Sequence, residues 1–287
     1  MTWTEERAKT ILFPPIFSME LDNVLLIRKT KAAPVIEAKS EIDIFIDELK
    51  ASFERTFIRE ERYKLFIEGI MNTMIITVLS IFFGMVLGFV VFMLCRTGNI
   101  FANIITKFSV WLIKGTPIVV LLMILYYIIF GKVDISGIWV AVIAFSLTFG
   151  TSVYRMLTFG TGALDKGQTE AAYALGYTDL QTFFTIILPQ AALHFMPSLR
   201  EEVTMLIKST AVVGYIAVQD LTKMGDIVRS RTYEAFFPLI AVAIIYFILA
   251  GLLNAIVLRI HWKITPSMRK PEDILRGINL RGDSDHD

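Results

Sequence analysis

Charge is the scarcest component of this chain. Only 19% of its 287 residues are Asp, Glu, Lys or Arg, 55% are hydrophobic, and the mean hydropathy is +0.61. A water-soluble domain of this length interrupts its apolar residues every few positions. Here several uncharged runs approach or exceed the ~20 residues that cross a bilayer core, so the chain reads as an integral membrane protein. A net charge of +1 leaves no basic excess to neutralise phosphates, which excludes nucleic acid as a partner. The single cysteine, Cys95, rules out an intrachain disulfide and, inside an apolar run, reads as packing. Histidine is nearly absent too: His194 stands alone, and no His, Cys and carboxylate cluster has metal-ligand spacing. The glycine-rich "GTGALDKGQ" lacks the Gly-Lys-Ser/Thr ending that cradles phosphates, so no ATP hydrolysis and no cofactor are expected of this chain. No cleavable signal peptide is evident, since "MTWTEERAKTILFPPIF" is acidic and broken by prolines.

What charge there is lies unevenly. Residues 1–62 hold 22 of the 55 charged residues, together with Pro14, Pro15 and Pro34. Within them, Ile42, Phe45, Ile46 and Leu49, followed by Phe53 and Phe57, recur every three or four residues, which predicts an amphipathic helix packed on a membrane domain or lying at its interface. Four spans then stand out: Gly69–Cys95, Gly115–Gly131 (extended upstream by "FSVWLI"), Ile135–Tyr154 and Ala235–Leu258. Between the last two, Leu180–Leu199 is uncharged but holds Pro189, His194 and Pro197, so hydropathy alone allows five or six spans. The cations that follow the last span, from Arg259 to Lys270, place the C-terminus in the cytoplasm, and Arg96 and Lys107 place the end of the first span there. Five spans, with the N-terminus outside, fit this vote best, in an all-α polytopic protein. The expected division is an extracytoplasmic or interfacial segment over 1–62, a membrane domain over 63–264 and a cytoplasmic tail over 265–287.

On that topology residues 160–189 lie at the cytoplasmic face, and their pattern is specific. Glu170-Ala171-Ala172 is followed after three residues by Gly176, and further on by Leu188-Pro189, with Gly167 upstream in "DKGQTEAAYALG". Small residues with high helix propensity suit a helix that enters a groove on a partner. Glu170 is expected at its start, where the helix dipole favours a carboxylate and a partner Arg can pair with it. Gly176 permits a tight turn, and Pro189 is expected to break the segment where it re-enters the membrane. This arrangement resembles the EAA loop of ABC importer permeases, and "DKGQTEAAYALG" and "ILPQA" are similar to the polar amino acid branch. "GIMNTMIITVLS", "WLIKGTPIVVLLMILYYI", "SLREEVTMLIKSTAVVGYIAVQDL" and "RTYEAFFPLIAVAIIYFILAGLLN" resemble that family's other segments in the same order, from about Lys64 to Ile264.

The resemblance implies a type I importer permease fold in the cell membrane, with Gly167, Glu170, Ala171, Ala172, Gly176 and Pro189 coupling it to cytoplasmic ATPase subunits that bind the ATP. It further implies a second permease subunit, identical or related, an extracytoplasmic solute-binding protein or domain, and an amino acid substrate. "FPPIFSMELDNVLLIRKT" faintly resembles the tail of a fused solute-binding domain.

Polar residues inside the spans are the second signal, because a charge among lipid-facing residues is costly. Arg200, Glu201, Glu202 and Lys208 fall in or at the edge of the fourth span. Glu201 and Lys208, seven apart, share a helix face and offer a zwitterion a carboxylate and a cation, although mutual neutralisation and snorkelling fit equally well. The sequence departs from the family pattern at Glu201 and Ser209. Thr116 and Pro117 free a backbone carbonyl in the second span, as suits a water-lined path, and Gly84 and Gly88 form a small-residue motif for close helix contact. An ion-coupled transporter or channel, using the same charges without an ATPase, is the alternative reading.

Overall fold

A computed structural model describes residues 41–264, so the readings placed on "FPPIFSMELDNVLLIRKT" and on the tail beyond residue 264 lie outside the described residues. The chain divides into two compact units, Met1–Ser52 and Phe53–Asp287. The first contributes most of helix α1 (Glu41–Phe53), in which Ile42, Phe45, Ile46 and Leu49 keep helical spacing.

The second unit is built from helices because lipid offers no partner to an unpaired backbone group. Helix α2 (Tyr63–Arg96) is followed by α3 (Ile100–Gly115), α4 (Ile118–Met123, continued by a π turn over Ile124–Ile129) and α5 (Gly137–Gly162). Then come α6 (Lys166–Ala174), α7 (Asp179–Thr182, leading through a π turn over Phe183–Ile187), α8 (Leu188–Ser209, closed by a 3₁₀ turn), α9 (Leu221–Thr232) and α10 (Phe236–Ile264). Among the described residues, four stretches are long and apolar enough to cross a membrane: Tyr63–Arg96, Gly137–Gly162, Asp179–Ile216 and Phe236–Lys263. The bent pair α3 and α4 passes the same test of length and apolarity only when its two helices are taken together, which brings the number to five.

Two prolines behave differently from one another. The second span is not one extended run: α3 and α4 meet at 107°. Pro117 has no N–H to donate, and Thr116 before it is extended (φ −98°, ψ 128°), the conformation a following proline favours. The Thr116 hydroxyl donates back to the Leu112 carbonyl at 2.8 Å. Pro189, expected to break its segment, does not. It is the second residue of α8, where a missing N–H costs little, and the π turn over Phe183–Ile187 carries the chain into it. Leu180–Leu199 is therefore the first part of the fourth span and not a span of its own.

The core is the seam between α2 and α5. A methyl on Gly88 would lie 2.5 Å from the Gly150 carbonyl oxygen and 2.6 Å from Val153 Cβ, and one on Gly84 would lie 2.9 Å from the Phe149 ring. The two backbones thus touch, as the small-residue spacing predicts, and Ile76, Phe145, Phe149, Val140 and Leu122 fill the space beside them. At the N-terminal end of α2, Gly69 abuts Leu221, whose N–H donates to Thr73 Oγ1 at 3.1 Å, while Asn72 donates to the Gln219 carbonyl at 2.8 Å. Asp220, buried, caps α9 by accepting from the N–H groups of Thr222 and Lys223 and from the Tyr246 hydroxyl. Burial pushes its carboxyl above the usual carboxylate range. The Phe57 ring lies between those of Phe53 and Phe66, anchoring the start of the unit on α2.

Gly88→Val forces this seam apart and is expected to cost about 2 kcal/mol, the scale of core overpacking. Gly251→Ala, where an added methyl meets nothing within 4 Å, is expected to be neutral. Thermal unfolding of the two variants in detergent checks the contrast; equal melting temperatures would remove the seam from its central place.

Candidate functional site

The loop between α5 and α8 is assembled by local rules. Asp165 caps α6, its carboxylate accepting from the Gly167 N–H at 2.8 Å. The position Glu170 was expected to hold is therefore taken by Asp165. Glu170 is the fifth residue of α6, exposed, and α6 has no acidic residue in its first turn. Of the alanines, Ala172 is buried against the span bundle and Ala171 faces out. Gly176 ends the helix with φ +82°, a conformation a β-branched side chain resists, and no atom crowds it. Its N–H and that of Tyr177 return to the carbonyls of Tyr173 and Ala172 at 2.9 and 3.1 Å. Thr178 and Gln181 then form a reciprocal cap for α7. Leu175, at 77% exposure, and Leu180, at 58%, stand out beside Tyr173 and Glu170. A short polar helix thus presents an apolar flank with no covering among the described residues. Gly167 is not sterically required, since an added methyl there meets only the Asp165 carboxylate at 3.4 Å.

The loop is tied to α2 by a contact that sequence reasoning missed. Arg96 Nη2 donates to Asp179 Oδ1 at 2.7 Å, and its guanidinium carbon lies 4.5 Å from the centre of the Phe183 ring. The Tyr173 hydroxyl donates to the same carboxylate oxygen at 2.9 Å, which raises the phenol above its ordinary pKa by favouring the neutral form. Arg96 entered the sequence reading only as a topology marker. The one available signal was an arginine at the end of a span, and its partner lies 83 residues away.

An open cavity of about 500 Å³ lies between α3, α5 and α8, lined in part by Lys114, Ser152, Arg155, Phe195 and Glu202. Lys114 Nζ lies 3.2 Å from Glu202 Oε1 and also donates to the Ser152 hydroxyl, which in turn donates to Glu202. The engaged carboxylate is thus Glu202, and its cation comes from α3. Glu201 and Lys208 share no ion pair, both are exposed, and neither lines this cavity. Thr116 and Pro117 lie outside its lining as well, two and three residues beyond Lys114. Lys114 and Arg155 were passed over as site residues in the sequence. A second cavity of about 310 Å³ lies under the loop, lined by Arg96, Asp165, Lys166 and Thr169, and shares Tyr154 and Thr158 with the first.

Removing the Arg96 contact loosens the loop. An exposed ion pair and a surface cation–π contact together contribute about 1 kcal/mol. Arg96→Met is therefore expected to speed amide exchange over residues 177–187 about fivefold without lowering global stability. Hydrogen-exchange mass spectrometry reads this directly; unchanged protection would show the contact to be incidental.

The match to known proteins follows this architecture. Residues 80–270 match the family model described as "Binding-protein-dependent transport system inner membrane component". The chain is 36% identical over 207 residues (70% of this chain, 93% of the relative) to GlnP of Rickettsia bellii, named provisionally as a glutamine transport system permease protein. It is 34% identical over 196 residues (66% of this chain, 88% of the relative) to the arginine transport system permease protein ArtQ of Bacillus subtilis. Among solved structures, the crystal structure of an amino acid ABC transporter with histidines superposes with a TM-score of 0.63 at 29% identity, over 70% of this chain and 94% of that one. With two thirds of its length matched by the family model and a membrane-helix bundle of the same fold, the chain belongs to the family of binding-protein-dependent transport system inner membrane components.

Proposed function

We propose that this protein is the permease subunit of an ATP-driven ABC importer for polar amino acids. The observation that carries the reading is the loop over 160–189: a short, capped, outward-facing helix with an uncovered apolar flank, turned by Gly176 and fastened to the ends of the spans. Residues Glu170, Ala171 and Gly176 form the face offered to a cytoplasmic ATPase, with Ala172 and Pro189 setting that face against the bundle and Gly167 opening the helix. The ATPase binds and hydrolyses ATP, and this chain holds no cofactor. The named relatives support amino acids as the solute class, their names specifying glutamine and arginine.

The orientation follows from where the spans end. Arg96 and residues 160–189 meet at one end of the bundle, while Gly69, Asp220 and Leu221 meet at the other. Cations at the ends of α2 and α10 support a reading in which the loop end lies in the cytoplasm, with the N-terminus outside and the C-terminus inside. A second permease subunit and an extracytoplasmic binding protein complete the system. Within it, Glu202, and with it the nearby Thr116, Pro117, Glu201 and Lys208, belong to the helices that line the solute path. Alternating access then requires only that ATPase closure favour one of two arrangements of these helices.

Glu170→Lys and Gly176→Val are expected to leave membrane insertion intact while abolishing ATPase co-purification and ATP-driven uptake in proteoliposomes. Uptake driven by an ion gradient, with neither ATP nor an ATPase present, would instead establish an ion-coupled transporter.

A further inference from the structure

We propose that Arg155 makes the cavity between α3, α5 and α8 select amino acids with anionic or neutral side chains and reject those with cationic ones. The inference rests on the reading of this chain as an amino acid permease and deepens it. Three ionisable side chains with fixed charge line the cavity: Lys114, Arg155 and Glu202. Lys114 and Glu202 neutralise each other through their ion pair and through Ser152. Arg155 has neither a hydrogen bond nor an ion pair with any described residue, and it is exposed to the opening. It lies seven residues before the end of α5, so it sits about 10 Å along the helix from that end, inside the span. With Lys114 and Glu202 neutralising each other, Arg155 leaves the lining with one net positive charge that an anionic group of a solute can meet.

The chemistry of the lining defines what that is. A guanidinium presents a planar fork of N–H donors that matches a carboxylate with two parallel hydrogen bonds. A solute α-carboxylate placed there leaves its α-ammonium to compete with Lys114 for Glu202. If the ammonium takes Glu202, Lys114 is freed, and the cavity then holds a second cation that a side-chain carboxylate or amide can meet. A cationic side chain would face Lys114 and Arg155 with no carboxylate left to balance it. Like-charge repulsion from two cations within one cavity, with no free carboxylate to offset it, means that the same three residues that admit glutamate or glutamine disfavour arginine and lysine. Phe159 and Phe195 add apolar wall but no polar discrimination.

The test must isolate this chain from its binding protein, which imposes a selectivity of its own. Full-length protein in lipid nanodiscs, with any subunits that co-purify, is assayed for equilibrium binding of radiolabelled L-glutamate, L-glutamine and L-arginine. Wild-type protein is expected to bind glutamate and glutamine about tenfold or more tightly than arginine, the scale of one charge-assisted contact. Arg155→Glu is expected to abolish or reverse that ranking, whereas Arg155→Lys keeps the ranking with weaker binding of all three. Arg155→Gln replaces the glutamate variant if melting shows that the latter is unfolded, and is expected to remove most of the discrimination. Arginine bound as tightly as glutamate by the wild type, no binding of any of the three, or a ranking unchanged by Arg155→Glu or Arg155→Gln would each overturn the proposal. ATP-driven uptake with a binding protein present is scored separately, so an intact importer with an unchanged ranking overturns this inference alone.

Discussion

The close approach of α2 to α5 is the constraint on which the rest of the molecule depends. Lipid supplies no hydrophobic drive for helices to associate, so contact between them relies on packing and on hydrogen bonds. Gly84, Gly88 and Gly150 let the two backbones meet directly, and any side chain at Gly88 would collide with the Gly150 carbonyl. With α5 fixed against α2 in this register, Arg96 at the end of one helix stands over the loop that leaves the other. The same register turns Ser152 and Arg155 away from α2 and towards α3 and α8. Both functional regions therefore inherit their geometry from a seam that contains neither.

The two regions use charge in opposite settings. At the loop, Asp179 is 61% exposed, and its pairing with Arg96 is screened by water, so that contact positions the loop more than it stabilises the protein. In the cavity, Lys114 and Glu202 are each less than one third exposed, and the hydroxyl of Ser152 fills the space between them. Lys114 and Glu202 both keep partial access to solvent, so their attraction is partly screened, while the buried Ser152 holds the two charged groups in register. On the proposed reading the cavity charges discriminate between solutes, whereas the loop charges act as fasteners.

Much of this was legible in the sequence, and the misses have physical causes. The glycine spacing in α2 and the turn at Gly176 were readable because each depends on a local rule: the absence of Cβ at a contact, or a positive φ. The span count was readable from hydropathy once residues 180–199 were joined to the helix that follows. Glu170 was misplaced by one helical turn because Asp165, a stronger cap, lies five residues upstream and the start of a helix drifts easily in sequence reading. Pro189 looked like a breaker because a π turn that accommodates it leaves no mark in composition. Helical spacing on α8 singled out Glu201 with Lys208 and offered Glu202 no partner. Its actual partner, Lys114, lies on another helix 88 residues away, and spacing along one helix carries no information about that contact. Lys114 reaches Glu202 from the last turn of α3, just before the 107° bend between α3 and α4.

The remaining step concerns how the loop and the cavity communicate. Tyr154 and Thr158, on one turn of α5, line both the space under the loop and the cavity between α3, α5 and α8. Arg155 lies between these two residues in sequence and lines the cavity between α3, α5 and α8. Asp165, Lys166 and Thr169 of the loop line the opposite wall of the shared space. On the proposed reading, an ATPase that shifts α6 changes the volume of that space first, and the end of α5 must tilt or repack to keep it filled, because close-packed interiors switch between arrangements and do not stretch. The tilt would move Arg155 relative to Glu202 on α8, which separates the two charges that hold the ends of one solute. Solute affinity and ATPase position would then be linked through one helix turn, and by linkage the occupied cavity would favour the loop position that suits it.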